Sequence, residues 1–287
     1  MITDYLYQNI IKQIHNEGDL IETRNHLCKS CFDLDPITIT KTPLVTLRKT
    51  AWKKALRELE WFMSGEMMCP DELLDWWQGQ LDEHNHYHRG YSEQLRWSRQ
   101  QHSNYCVRPK TGFDQIQYIL NGLRNNQNSR RLVMTTWNPW DMAHIMELNN
   151  NLNTPSTCHG TLIQYFVREG YLHVYHYQRS ADVLLGLPHN LIQHWALLLY
   201  FAFHAHLEVG SLRYTIGDAH LYQHESHCAA TSQLIKLQTY PELDNSFKLC
   251  YNSSMDKAEV VPVFRASDFV MEGEIPEPRV TIRPVLL

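Results

Sequence analysis

Several things are missing from this 287-residue sequence, and each absence removes a class of function. No apolar stretch approaches the roughly 20 residues that span a bilayer, so no transmembrane helix is expected. There is no basic excess. Against 26 Lys and Arg stand 31 Asp and Glu, a net charge of -5, which leaves no positive field to grip a nucleic-acid polymer. Any phosphate bound here needs a local arginine cluster. Internal repeats, low-complexity tracts and linker-like runs of Gly, Pro and Ser are absent, so residues 1–287 read as a single domain. The seven cysteines are odd in number and scattered, which argues against a disulfide framework and for free thiols in a reducing, cytoplasmic setting. The start, Met1 to Asn16, is amphipathic rather than signal-like. Two metal cues, His84-x-His86-x-His88 and Cys28-x-x-Cys31, lack a second half at standard spacing. No metal is expected, and a solvated His-rich loop is the plainer reading.

What is present is ordinary globular composition, 43% hydrophobic and 20% charged. Ile2 to Glu17 has helical spacing and stops at Gly18. Residues 33–46 carry Thr, Ile and Val in partial alternation and predict a strand. A helix is predicted from Leu47 to Gly65, with Ala51, Ala55, Leu59 and Phe62 along one face, and another over 113–126. Arg131 to Trp137, Gly160 to Val167 and Leu172 to Gln178 predict strands, the last two joined by a hairpin at Glu169-Gly170. Asn190 to His206 reads as a central buried helix. Residues 212–217 and 259–263 are further strand candidates. Helices and strands mixed without strict βαβ alternation predict an α+β fold.

The densest chemistry lies at 178–190, Gln-Arg-Ser-Ala-Asp-Val-Leu-Leu-Gly-Leu-Pro-His-Asn, where polar groups crowd into the start of that buried helix. Buried polar groups need partners, internal or from a ligand. Alone, the stretch reads equally well as a structural polar network. It has company, however: Ser129-Arg130-Arg131, Ser156-Thr157-Cys158-His159 and Gly217-Asp218-Ala219-His220-Leu221-Tyr222 each border a predicted strand.

Four motifs in this order, from about residue 43 onwards, resemble the thymidylate synthase superfamily. The resemblance implies a large twisted mixed sheet flanked by helices, packed back to back in a homodimer. It implies one-carbon transfer from 5,10-methylenetetrahydrofolate to carbon 5 of dUMP. Cys158 matches the nucleophile that adds to carbon 6, a job suited to a soft thiolate made acidic by nearby arginines. Arg179 and Ser180 match phosphate ligands, as do Arg130 and Arg131, which in this family reach the neighbouring subunit's site. Arg24 falls among the substrate contacts, and Gln178 beside the phosphate. Asn190 matches the base-reading amide, whose donor and acceptor suit O4 and N3–H of uracil. Cytosine-specific relatives carry Asp there. His220 and Tyr222 match ligands of the deoxyribose 3′-hydroxyl, and Asp182 a folate-side and water contact. Glu58 matches the acid that moves protons at O4 through water, and Tyr91 a tyrosine near the proton lost from carbon 5. On the folate side stand Trp77, Gly186 and Arg48, the last steering the anionic tail.

The chain also departs from the synthase pattern. Its Glu58 helix reads Arg-Glu-Leu-Glu-Trp-Phe, similar to the phage deoxycytidylate hydroxymethylase branch. Of the two tryptophans expected in the folate loop, Trp77 fits the first and Gln80 takes the second place. Asn25-His26-Leu27-Cys28 replaces a Gly-Thr loop after Arg24, and Thr157 replaces a proline. One extra residue between Cys158 and Gln164 implies a bulge. Polar Gln80 and His189 in place of an aromatic wall would admit water to the methylene carbon. The expected product is therefore 5-hydroxymethyl-dUMP with tetrahydrofolate, as in phages that build modified DNA. The alternative is reductive methylation to dTMP and dihydrofolate; a non-catalytic nucleotide- or metal-binding role is a third reading, disfavoured because Cys158 and Glu58 are both present.

Overall fold

A seven-stranded mixed sheet organises the chain. The computed structural model describes residues 3–23, 26–88, 90–98, 112–139, 161–239, 246–253 and 261–282. Strands β1 (Asp19–Glu22), β2 (Leu27–Cys31), β3 (Ile37–Ile39), β4 (Val133–Thr135), β5 (Thr161–Arg168), β6 (Tyr171–Asp182) and β7 (Glu208–Tyr222) pair in the order β1-β2-β7-β6-β5-β4, with β3 also on β7. The β6–β7 pair is parallel and every other pair is antiparallel. A small second sheet joins β8 (Phe247–Tyr251) to β9 (Phe269–Gly273). The α+β expectation holds.

Helix α1 (Thr3–Glu17) ends where predicted, at Gly18. Its Asp4 carboxylate clamps the chain at 46–47: Oδ1 accepts from Thr46 N (2.7 Å) and Leu47 N (3.3 Å), and Oδ2 from the Thr46 hydroxyl (2.5 Å). Helix α2 (Trp52–Ser64) begins five residues later than the sequence suggests. Residues 47–49 instead pair their backbone with Val280, which accepts from Lys49 N and donates to Leu47 O. A tertiary pairing has overridden local helical spacing. The predicted strand over 33–46 shrinks to β3 because Pro36 and Pro43 withhold donors and Leu44, Val45 and Leu47 are all buried rather than alternating.

Short helices α3 (Leu74–Trp77) and α4 (Tyr91–Arg96) follow, then α5 (Gln115–Asn125), capped by Asp114, whose side chain accepts from Gln117 N. The β5–β6 hairpin turns at Glu169 (φ 51°) and Gly170 (φ 83°), the two positive φ values that a type I′ turn needs. Helix α6 (Leu187–His204) is the predicted buried helix, with Pro188 in its first turn; α7 (Glu225–Lys236) packs beside α1. Residues 261–263 form no strand, and 259–260 lie outside the described residues. β5 pairs with β6 from Thr161 to Arg168 without a register shift, so the expected bulge is not found from Thr161 onwards.

The two faces of the sheet differ. Ile163, Tyr165, Val174, His176, Gln178, Leu212, Tyr214 and Ile216 are buried on one side, towards α6. Alternate residues point the other way, where Leu162 (41% exposed) and Tyr177 (39%) lie open beside partly exposed Phe166 and Tyr175.

Candidate active site

The carboxyl ends of the parallel β6–β7 pair carry a polar row. Ser180 stands opposite Asp218 and Asp182 opposite His220, so Gln178, Ser180 and Asp182 share a face with Asp218, His220 and Tyr222. Ser180 Oγ lies 3.4 Å from Asp218 Oδ2 and 3.5 Å from His220 Nδ1, and Ser30 Oγ donates to Asp218 Oδ1. Asp182 Oδ1 accepts from Leu184 N (2.9 Å) and Leu185 N (3.0 Å), which turns the chain from β6 into α6. Gly186 opens that helix. A Cβ there would come within 3.3 Å of Asp182 O and 3.5 Å of Asn190 Oδ1.

Across from this row, Glu58 of α2 is 9% exposed. Its Oε1 accepts from Trp77 Nε1 (2.6 Å) and its Oε2 from Gln193 Nε2 (2.7 Å). Burial pushes its carboxyl up to about 7, against the pull of the Gln193 and Trp77 hydrogen bonds and of Lys54. Asn190 Nδ2 donates to Gln193 Oε1 (3.3 Å), and Gln178 Nε2 donates to Asn190 Oδ1 (3.3 Å). Gln178 also donates to Ser180 O (2.8 Å) and accepts from the Tyr214 hydroxyl. One continuous chain thus links the acid to the amide predicted to read the base. Tyr91 joins the aromatic cluster under Glu58, 4.4 Å from Phe62 and 6.3 Å from Trp77 between ring centroids.

Other sequence expectations need correction. Arg48 cannot steer an anionic tail. It is buried, and its guanidinium donates to the carbonyls of Lys49 (3.0 and 3.2 Å), Leu184 and Leu185 (3.3 Å), which pin the turn before α6. Gln80 is exposed in the short 3-10 turn 78–80 rather than packed into a wall of described residues. His189 is no free polar group either: its Nε2 accepts from Ala51 N (3.2 Å), and burial pushes it down to about 3. Its ring packs 4.9 Å from that of Trp76, over which Lys54 Nζ sits at 4.9 Å. The site's mouth therefore keeps an aromatic ledge. Glu60, which sets the hydroxymethylase-like wording apart, accepts from Ala266 N (3.0 Å) and serves as a structural pin.

Arg179 lies on the opposite face of β6 from Ser180, with its guanidinium 5.7 Å from the Trp137 ring. Arg130 and Arg131 are exposed at the β4 edge of the sheet, two strands from β6. Cys158, His159 and Arg24 lie outside the described residues. The five described cysteines are free, and Cys28 and Cys31 are buried. In the His-rich loop, Asp82 Oδ1 accepts from His84 N and His86 N while Oδ2 meets His88 Nε2 at 2.7 Å. Burial opposes its ionisation, yet those bonds hold Asp82 at about 2.

The arrangement of a buried acid, a fixed amide and a polar row at the end of β6–β7 brings together two of the four motifs that carried the resemblance, 178–190 and 217–222. A profile described as thymidylate synthase matches residues 5–285. The chain belongs to the thymidylate synthase family. That family uses methylenetetrahydrofolate as co-substrate and no metal. Among curated relatives, a protein named bifunctional dihydrofolate reductase-thymidylate synthase 2, from Arabidopsis thaliana, is 29% identical over 246 residues, 77% of this chain. The match covers 41% of that relative, so the chain spans about two fifths of its length. Sequence reading of the thymidylate synthase motifs missed Gln193. Its one signal was a carboxamide one helical turn after Asn190 in a mostly apolar run.

Proposed function

We propose that this protein transfers a one-carbon unit from 5,10-methylenetetrahydrofolate to carbon 5 of dUMP. The observation that carries the reading is the hydrogen-bonded chain from Glu58 through Gln193 to Asn190. It sets a proton-exchanging carboxyl, poised near neutrality, beside an amide with one donor and one acceptor unused among the described residues. Cys158 is the proposed nucleophile towards carbon 6, and Ser180, His220 and Tyr222 the groups for phosphate and sugar. The Trp76–His189 ledge beside the Gly186 turn suits a flat heteroaromatic ring, so the residues present fit the folate. Arg130 and Arg131 are proposed to complete the phosphate site of a second copy packed on the open sheet face. In support, the Arg130 and Arg131 guanidiniums have no side-chain bond within the described chain.

For the last step we favour hydration, giving 5-hydroxymethyl-dUMP for use in modified DNA such as phages make. Its support lies in the sequence pattern, the hydroxymethylase-like Arg-Glu-Leu-Glu-Trp-Phe wording of the Glu58 helix, since Gln80 itself is exposed in the 78–80 turn. A second reading, reductive methylation to dTMP, is favoured by Trp76, which supplies an aromatic surface at the mouth. Mass analysis of the nucleotide product distinguishes them. A gain of a hydroxymethyl group supports hydration, a methyl group supports reduction, and unmodified dUMP overturns both.

A further inference from the structure

The orientation of an amide decides which edge of a base it accepts, and here the surroundings force that orientation. Gln193 lies between two acceptors: its Nε2 donates to Ala55 O (2.9 Å) and to Glu58 Oε2 (2.7 Å). A backbone carbonyl cannot donate, so the nitrogen of Gln193 must face Ala55 and its oxygen must face Asn190. On the other side, Gln178 is fixed the same way by Ser180 O, so its nitrogen faces Asn190. Asn190 therefore meets a donor at Gln178 and an acceptor at Gln193. Its Oδ1 points to the first and its Nδ2 to the second. Flipping the amide would set two donors and two acceptors face to face.

Every link runs in one direction, from Tyr214 through Gln178, Asn190 and Gln193 to Glu58. Gln193 is 4% exposed, with no bulk water to replace a lost partner. Facing Glu58 are also Trp77 of α3, Lys54 of α2 and Cys69 after α2, with the Tyr87 and Tyr91 rings against Trp77. Of the groups that favour its charged form, Gln193 acts most strongly.

We infer that Gln193 is a positioning residue that holds the Asn190 amide in the orientation selecting a 4-keto, N3–H pyrimidine and ties that choice to the protonation of Glu58. The inference rests on the proposal that Asn190 faces the base. Two variants separate its parts. Gln193→Met keeps the volume but removes both the acceptor for Asn190 and the donor to Glu58. Gln193→Glu keeps an acceptor for Asn190 and loses the donor.

The test measures equilibrium binding of dUMP and dCMP by calorimetry, the pH dependence of turnover, and thermal unfolding. Gln193→Met should lower the dUMP-over-dCMP binding ratio by about tenfold or more. It should also move the pH limb assigned to Glu58 upwards. Gln193→Glu should keep the ratio within about threefold of the parent, the loss of a neutral for a charged acceptor being small beside a lost bond, and move the limb further. A parent that binds neither nucleotide overturns the proposed function itself. A parent that prefers dUMP, with both variants leaving ratio and limb unchanged, overturns the role of Gln193 alone, even if their melting temperatures fall. Should Gln193→Met fail to fold, the limb of Gln193→Glu decides the matter.

Discussion

At the scale of single residues, the account divides nucleophile, acid and binding groups among different side chains, and the division can be tested. Cys158→Ser should abolish turnover while dUMP affinity stays within a few-fold, because base and phosphate contacts are separate from the thiol. Activity above a few per cent of the parent would rule out the covalent route. Glu58→Gln should lower kcat by roughly 10²-fold or more and erase the pH limb near 7, since a carboxamide cannot exchange that proton. A surviving limb assigns it to another group. Asn190, Glu58, Asp182 and His220 could be singled out in the sequence because each sits in a motif that resembles the family's, although the partner of Glu58 at Gln193 is far along the chain. Arg48 and Gln193 were not. A buried arginine and a solvent-facing one look alike in sequence, and only the carbonyls of Leu184 and Leu185 show where Arg48 is spent. Gln193 gains its meaning from Ala55 and Glu58, well over a hundred residues away.

At the scale of elements, local signals placed the helices and the hairpin, while long-range pairings set their limits. Helix α2 stops where Gly65 takes φ 79° as its left-handed C-cap. A Cβ at this position would stand 2.4 Å from Trp97 Nε1 and 2.9 Å from Arg96 Cβ, and that indole also donates to Gly65 O (3.1 Å). Gly65→Ala should therefore destabilise the fold by about 1–3 kcal/mol, more than a solvent-exposed C-cap change. Urea unfolding with an unchanged m-value checks this, and a loss below about 0.5 kcal/mol would contradict the packing described. The start of α2 was illegible for a complementary reason: residues 47–49 bond to Val280, and nothing near them in sequence reveals that. Strands β8 and β9 were missed because five-residue segments of a small sheet carry little periodic signal.

At the scale of the whole molecule, buried neutral histidines make the fold acid-sensitive. Burial depresses His189 to about 3, His194 to about 4 and His176 well below its usual value. Each is neutral when folded but takes a proton in the unfolded chain below about pH 6.5, so its stabilising effect is complete above that pH and falls away as pH drops. The slope is about 1.4 kcal/mol per pH unit for each histidine. Glu58, shifted upwards, acts in the opposite sense between its unfolded value and about 7, and the histidines outnumber it. The melting temperature should fall steadily from pH 6.5 to 5, and a flat profile would contradict these burials. The open sheet face, and Arg130 and Arg131 with no side-chain partner among the described residues, predict that sites are completed between two copies. Exchanging subunits of inactive Arg131→Ala and inactive Cys158→Ala proteins should restore activity, because one site of each hybrid carries neither lesion; no recovery despite proven exchange would contradict sharing. The most direct test of the central claim is mass analysis of dUMP after incubation with the protein and 5,10-methylenetetrahydrofolate. The account predicts one added carbon at carbon 5, as a hydroxymethyl group and without dihydrofolate. A dTMP product with dihydrofolate would contradict the proposed last step, and dUMP recovered unchanged at carbon 5 would contradict the whole account.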